Sequence, residues 1–376
     1  MGLSMMPANR LIAHFDLDCF FVAVERLKNP RLVGMPVMVA GDPGTRTVVS
    51  SASYEARRCG VRAGMPVSVA RRLCPEVIRV RGDFASYDDY HFRVLAVVKT
   101  FSPQVEIASI DEGYLEWSPI NDQLVEPLET ASRLKCAIKA ETGLDCSIGV
   151  ASNRMISKIA TNYVKPNGIM WIPPGRERQF IWPLAVEELP GIGPKIRAQL
   201  NAMGIVSVAD LAGLHPVAMR ALFGAKAVYF ARAAQGIGEG IRSSKTSRQS
   251  IGREMTFPKD ITNQIQLQAV LYHLVEGVCD ELQKECKRAG EVRIKLRFAD
   301  FTTRVRSCSF KEPTVDPMIM FEKSRQLLLA NCHGKGAVRM MGFALSRFSP
   351  DNHQVTLFQS LPNKIPGDNS GLCLCP

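Results

Sequence analysis

The 376-residue chain contains no C-x-x-C pair; its eleven cysteines are scattered and odd in number. That excludes a regular disulfide framework. Cys373 and Cys375 stand one residue apart in a tail without a nearby histidine, which argues against a zinc site there. Reduced thiols in a cytoplasmic protein are the expectation. No apolar run reaches the ~20 residues of a membrane-spanning helix, and no charged segment followed by a long apolar run opens the chain, so no membrane partner is expected. Negative charge is in deficit: Lys and Arg number 47 against 36 Asp and Glu, for a net charge of +11. Such an excess favours a polyanionic partner, although charge alone does not separate nucleic acid from an acidic membrane surface. Hydrophobic residues make up 46% of the chain, enough for real cores. The length predicts roughly two to four domains.

Against this basic background stand two acidic clusters. Asp16-Leu17-Asp18 lies in the run Leu11–Phe21, and Asp111-Glu112 lies in Ile107–Leu115. Each sits in a stretch otherwise apolar enough to be a buried strand. Burying an unpaired carboxylate costs several kcal/mol. A hard divalent cation offsets that cost, and carboxylates from separate strands are a usual way to hold magnesium beside phosphates. The plain alternative is strand-end carboxylates facing solvent or an arginine; two such clusters in one basic protein weigh against it.

The first half of the chain mixes strands and helices. A strand is expected over residues 11–18, with Ile12, His14, Asp16 and Asp18 on one face. Short apolar strands at 37–40 and 47–50 flank the turn Gly41-Asp42-Pro43-Gly44. Helices are expected around 54–58, 67–73, 84–101, 125–142 and 153–162, and strands at 105–110 and 145–150. This pattern predicts an α+β sheet domain with a small insertion. From about 173 helical periodicity dominates, broken by glycines, to about 235. Residues 239–249, with Arg242, Lys245 and Arg248, predict an exposed basic linker. A second α+β unit follows: strands at 250–257, 291–298, 303–310 and 338–348, with helices at 263–288 and 317–330. The residues after 350 are expected to form a flexible tail.

Two segments point to nucleic acid. Leu189-Pro190-Gly191-Ile192-Gly193-Pro194-Lys195, followed by a helix, is a helix-hairpin-helix signature. Gly191 and Gly193 let backbone amides approach a phosphate, and Lys195 and the helix N-terminus add favourable field. A plain glycine-rich turn is the alternative. Such a motif holds the backbone of DNA and carries no sequence information. In the strand Val292–Phe298, Arg293, Lys295 and Arg297 alternate with apolar residues, and Arg304 and Arg306 repeat the alternation on the next strand. Like charges gathered on one sheet face repel unless a polyanion neutralises them. A solvated face is the alternative; a DNA track predicts sequence-tolerant, salt-sensitive binding.

The motifs His14-Phe15-Asp16-Leu17-Asp18-Cys19-Phe20-Phe21, Ser53–Arg57, Gly60–Pro66, Ser109–Glu112 and Lys165-Pro166-Asn167-Gly168 together resemble those of Y-family DNA polymerases, closest to the bacterial DNA polymerase IV branch. The likeness runs from about residue 10 to 348. It implies an α+β multidomain right-hand polymerase. The palm would span residues 1–172 with small fingers inserted at about 20–80, followed by a helical thumb at 173–238. A basic linker at 239–249 would lead to a little-finger DNA-binding domain at 250–349, and the tail would occupy 350–376. The activity implied is template-directed translesion synthesis of DNA by two-metal phosphoryl transfer, with low fidelity. The length leaves no room for a proofreading domain.

The resemblance also assigns roles. Asp16, Asp111 and Glu112 would be catalytic and hold two Mg2+ ions, with the carbonyl of Leu17 completing the site on the nucleotide side. Asp18 matches a further position of the same motif. Tyr54, Arg57 and Lys165 match triphosphate-binding positions. Phe21 matches a steric gate against the ribose 2′-hydroxyl; without the motif it would be an ordinary core aromatic. Val48 and Ser50 fall where the fingers roof the nascent base pair, and their small size suggests a loose site. Two departures stand out: Gly113 replaces the alanine usual after Asp-Glu, and Thr161-Asn162-Tyr163-Val164 departs from the commoner run before Lys165.

In the tail, Gln354-Val355-Thr356-Leu357-Phe358 resembles the peptide by which bacterial polymerases dock on the sliding clamp. Leu357 and Phe358 would fill an apolar pocket and Gln354 would fix orientation. The partners implied are primer-template DNA, a deoxynucleoside triphosphate and the β sliding clamp, with the polymerase acting as a monomer. Two other readings use the same residues. A non-catalytic relative would keep the fold as a DNA-binding scaffold, but all three carboxylates are present here. A nucleotidyl cyclase has a related palm but needs no DNA track.

Overall fold

The computed structural model describes residues 11–42, 46–117, 126–241, 248–332 and 336–350. The chain divides into two compact units, residues 1–246 and 247–376. The Met1–Met6 cluster, Arg242 and Lys245, the peptide Gln354–Phe358 and Cys373 and Cys375 all lie outside the described residues.

The first unit begins with β1 (Leu11–Leu17), α1 (Phe20–Lys28), β2 (Val37–Ala40), β3 (Val49–Ala52), α2 (Tyr54–Arg58), α3 (Val67–Leu73) and β4 (Ile78–Val80). It continues with α4 (Phe84–Phe101), β5 (Val105–Ile107), β6 (Glu112–Trp117), α5 (Pro127–Thr142), β7 (Cys146–Ala151), α6 (Arg154–Tyr163) and β8 (Ile169–Trp171). Short helices complete it: α7 (Glu177–Ile181), α8 (Pro194–Asn201), α9 (Val208–Ala212), α10 (Pro216–Phe223) and α11 (Ala227–Ala234). The second unit holds β9 (Ser250–Ile261), α12 (Gln264–Lys284), β10 (Lys287–Phe298), β11 (Thr303–Thr314), α13 (Pro317–Cys332) and β12 (Val338–Pro350).

The main sheet has the order β5-β6-β1-β7-β8, with β1 antiparallel to both of its neighbours. Helices cover both faces of β1, so Ile12, Ala13, His14 and Phe15 are all buried, and the strand does not alternate buried with exposed. Ala13, Phe15 and Leu17 join a core with Phe20, Val24, Tyr87, Val94, Leu134 and Ile138 from α1, α4 and α5. On the other face α6 lies directly on the sheet. A Cβ at Gly149 would fall 2.2 Å from the Ser157 carbonyl and 2.5 Å from the Thr161 nitrogen, so only glycine permits this approach. Asn153 caps α6 by accepting the Ile156 amide.

The inserted sheet, β3-β2-β4, shares β2 between two cores. Val37 and Val39 face the main core, whereas Met38 and Ala40 join Ala56, Val61, Ala70 and Cys74 in a small separate one. In the helical region Gly191, at φ +100°, packs under Phe230, whose ring would lie 3.3 Å from a Cβ there. The second unit is an antiparallel sheet β11-β10-β12-β9, with Leu271, Val275 and Val278 of α12 packed on Val292, Ile294 and Phe343.

The structure differs from the expected elements at one informative point. The helix expected to reach 288 ends at Lys284, and β10 starts at Lys287 rather than at 291. The reversal is made by Cys286 at φ +49°, a conformation usually signalled by glycine or asparagine.

Candidate active site

The antiparallel register sets Asp16 of β1 directly opposite Glu112 of β6. Their side chains therefore project from the same sheet face, the one that carries α6. Asp111 immediately precedes β6, and its carbonyl accepts the Leu17 amide at 2.9 Å. Asp111 is held in turn by the Ser109 hydroxyl. Two segments almost a hundred residues apart thus bring three carboxylates to one strand end.

Basic side chains approach from the α6 side. Lys165 Nζ lies 2.6 Å from Asp16 Oδ2, and Lys158 of α6 pairs with Glu112. Burial, opposed by Lys165 and reinforced by Asp111 and Glu112, pushes the Asp16 carboxyl up to about 6. Glu112 is held down at about 2 by His14 and Lys158 against its partial burial. His14 is wholly buried. Its Nδ1 is 2.9 Å from the Thr161 hydroxyl and its Nε2 is 3.3 Å, at an oblique angle, from Glu112. Burial pushes His14 down to about 4, so the ring is neutral at pH 7 and donates from only one nitrogen. The Thr161 hydroxyl also reaches the carbonyls of His14 and Ser157, and by rotating it accommodates either tautomer.

Asp18 does something different from its neighbour. Its Oδ1 accepts from the Tyr54 hydroxyl at 2.9 Å, its Oδ2 accepts the Asn167 amide at 2.8 Å, and the Ser147 hydroxyl lies 3.1 Å from both oxygens. One buried carboxylate therefore joins β1, β7, the start of α2 and the loop that follows Lys165. Burial and the Asp18 carboxylate both raise the Tyr54 phenol above its ordinary range.

Around the cleft stand Asp16, Leu17, Asp111, Phe21, Ser50, Tyr54, Arg57 and Lys165. Glu112 adjoins from beneath through its register with Asp16. Arg57 packs its guanidinium 4.9 Å over the Tyr54 ring and donates to the Ala52 carbonyl. Phe21 stacks on Tyr87 with ring centroids 4.2 Å apart. Val48 is exposed and is not part of the cleft wall. The structure thus gathers the expected metal, nucleotide and gate residues round one opening. Lys158, His14 and Thr161 join the site without a role assigned by any motif; the available signal is that Lys158 stands four residues after Arg154, on the same face of α6.

The donor set suits a hard cation. Three carboxylates converge with only two lysines against them, an arrangement of oxygens that a divalent metal can hold.

The other expected contacts lie elsewhere. Gly191, Gly193 and Lys195 are exposed at the start of α8, which Gly193 precedes. In the second unit Arg293, Lys295 and Arg297 point away from the core while Val292, Ile294, Leu296 and Phe298 are buried. Arg304 and Arg306 do not share that basic face. The register pairs Leu296 with Arg304 and Ile294 with Arg306, so both arginines of edge strand β11 lie on the apolar side. Arg304 accordingly stands over the Phe298 ring at 5.9 Å. Alternation along each strand leaves the offset between strands open, and pairing resolves it the other way.

Comparison with known proteins agrees with this architecture. The impB/mucB/samB family profile matches residues 15–162, its C-terminal domain matches 248–357, and the helix-hairpin-helix motif of the same family matches 174–205. A DNA polymerase IV from Dehalococcoides mccartyi (strain CBDB1) is 37% identical over 349 residues, covering 93% of this chain and 90% of that one. The chain belongs to the Y family of DNA polymerases. A DNA polymerase IV from Methanoculleus marisnigri is 35% identical, covering 91% of this chain and 95% of its own. Among solved structures, a chimeric Y-family polymerase of Dbh and Dpo4 matches with a TM-score of 0.80 at 26% identity, over 90% of this chain and 99% of that one. An insertion ternary complex of Dbh DNA polymerase matches with a TM-score of 0.64 at 27% identity, over 89% and 98%. The fold is the right-handed polymerase architecture with its helix-hairpin-helix thumb and α+β little finger. The protein is a translesion DNA-directed DNA polymerase, and its family uses divalent metal. Among the described residues no helix is long and apolar enough to cross a membrane.

Proposed function

We propose that Asp16, Asp111 and Glu112, with the Leu17 carbonyl, are the metal-holding catalytic residues, and that the metal is a pair of Mg2+ ions. When bound, these would activate the primer 3′-oxygen and stabilise charge on the departing pyrophosphate. The observation that carries the reading is the register of Asp16 against Glu112, with Asp111 on the wall that also bears Tyr54, Arg57 and Lys165. Lys165, paired with Asp16 here, is within reach of a triphosphate in the same cleft, and with Tyr54 and Arg57 it would offset phosphate charge. Phe21 would close the space beneath the sugar C2′, and Ser50 would border a loose roof.

The substrates on this reading are primer-template DNA and deoxynucleoside triphosphates; the ternary complex of the Dbh relative supports that choice. The palm would span residues 1–172 with fingers at about 20–80, the thumb 173–238, the linker 239–249 and the little finger 250–349. Gly191, Gly193 and Lys195 would hold phosphates of the duplex. Arg293 stands beside Ala344, which pairs in turn with Gly252, and these small neighbours would let a phosphate chain come close to it, with Lys295 and Arg297 further along the same strand. The tail peptide with Gln354, Leu357 and Phe358 would dock a monomeric enzyme on the sliding clamp, in the cytoplasm.

The test is primer extension on intact and lesion-bearing templates. Asp111→Ala and Glu112→Ala should each lower the rate at least roughly a hundred-fold, the scale of losing one key electrostatic group, while primer-template affinity stays near that of the parent. Normal extension by either variant would defeat the assignment.

A further inference from the structure

Cys59, Cys74 and Glu76 bring two Sγ atoms and a carboxylate oxygen within 4.8 Å of one another. They lie in the inserted subdomain, with Cys59 at the opposite end of α2 from Tyr54. Cys59 is the C-terminal cap of α2, and Cys74 is the C-terminal cap of α3. The Cys74 side chain is buried in the small core with Ala56, Val61 and Ala70, whereas Cys59 and Glu76 are at the surface.

We propose that these three residues form a binding site for a thiophilic divalent cation of the Zn2+ class, clipping the end of α2 to the end of α3. The three donor atoms already lie close together. With Zn–S bonds of about 2.3 Å, two thiolates on a tetrahedral centre stand roughly 3.8 Å apart, so closing the cluster needs a shift of an ångström or less. Two sulfurs select Zn2+ and similar ions over Mg2+ or Ca2+. A disulfide would have no use for Glu76 and would need the sulfurs to close to about 2 Å.

Charge also fits. Two thiolates and a carboxylate carry three negative charges, so a divalent ion leaves one. Other arginines that end these helices, Arg58 on α2 and Arg71 and Arg72 on α3, suit that remainder. Among the described residues no fourth His, Cys, Asp or Glu joins the group, so water would complete the tetrahedron. Because α2 also carries Tyr54 and Arg57, the ion would steady the helix that faces the cleft.

The test is titration of the reduced full-length protein with Co2+, reading the near-ultraviolet thiolate-to-cobalt band. Carboxylate-only sites do not give this band. One equivalent of band that Zn2+ displaces, and that Cys59→Ser removes, is the expected result. The nine other cysteines are common to both proteins, so an equal band in the parent and Cys59→Ser overturns the proposal, as does no band at all. Glu76→Gln should keep the band but bind more weakly; unchanged affinity would remove the third ligand and with it the site as described. Cys59 is exposed, so its substitution should fold. Zn2+ should then raise the melting temperature of the parent and not of Cys59→Ser, while Mg2+-supported synthesis without Zn2+ should be the same for both.

Discussion

The Asn167 backbone amide donates a 2.8 Å hydrogen bond to Asp18 Oδ2, joining positions 149 residues apart. The other Asp18 oxygen accepts the Tyr54 hydroxyl. The acid thus sets two walls of the cleft at once: Tyr54 of α2 and the loop that follows Lys165. Asp18→Asn preserves shape but must turn an NH2 toward one of these donors. Losing a hydrogen bond to a charged group costs about 2 kcal/mol, so the variant should melt lower. If the disturbed cradle weakens nucleotide binding by about 1.4 kcal/mol, KM for the incoming nucleotide rises tenfold, with a smaller fall in kcat. Steady-state kinetics check this. An Asp18→Asn enzyme with the parental KM and melting temperature would show that the carboxylate positions nothing.

Asp16 carries a cost that its function requires. In the folded protein its carboxyl titrates at about 6 against an ordinary 3.8, with burial as the main cause. The fold therefore favours the protonated acid. That contribution is fully present below pH 3.8 and is lost as pH rises through 6, and a shift of about two units corresponds to roughly 3 kcal/mol. In the presence of a chelator, Asp16→Asn should be more stable than the parent at pH 8 and equally stable at pH 3.5, while supporting no synthesis. Urea unfolding at the two pH values measures the difference. A parent that is the more stable protein at pH 8 would mean that Lys165 outweighs burial.

Much of the site was legible from the residue pattern because its chemistry is unusual for a strand. Asp16, Asp111 and Glu112 announce themselves as carboxylates inside apolar runs, and Phe21, Tyr54, Arg57 and Lys165 come with motifs. What stayed hidden depends on pairing across space. The role of Asp18 is set by Tyr54, Ser147 and Asn167, none of which is near it in the chain. Lys158 becomes a partner of Glu112 only because Gly149 lets α6 settle on the sheet. The turn at Cys286 lacks any glycine to mark it, so helical periodicity alone runs past the true end of α12. The faces of Arg304 and Arg306 follow from a register that alternation does not specify.

Phe21 is held by its neighbours rather than by the backbone alone. Its ring lies parallel to Tyr87 and edge-on to Phe84, and the Tyr87 hydroxyl donates to Glu25 at 2.7 Å. A ring fixed in this way makes a stiff wall for the cleft. Phe21→Ala should therefore admit ribonucleotides, with selectivity for the deoxy sugar falling about ten- to two-hundred-fold, the range for contacts of one small group. Single-nucleotide insertion with matched ribo- and deoxyribonucleotides decides the matter. Unchanged discrimination would place the sugar elsewhere.

The two faces of the second unit's sheet make opposite predictions for residues of the same charge. Arg293, Lys295 and Arg297 project from the face opposite α12 and α13, although Arg293 donates to Glu291 and Lys295 to Glu254. Arg297 donates only to the neutral Thr303 hydroxyl among the bonds described for it, so its charge is the least compensated of the three. Each phosphate contact contributes about 0.9 to the slope of log K against log salt. Arg297→Ala should lower that slope by about 1, with smaller changes for Arg293→Ala and Lys295→Ala, whose partner acids already screen them. Arg304→Ala and Arg306→Ala, on the other side of edge strand β11, should leave the slope nearly unchanged. Fluorescence anisotropy of labelled primer-template across a sodium chloride series resolves these differences. If Arg304→Ala and Arg306→Ala reduced the slope more than Arg297→Ala, DNA would be following the edge of the sheet instead of its open face.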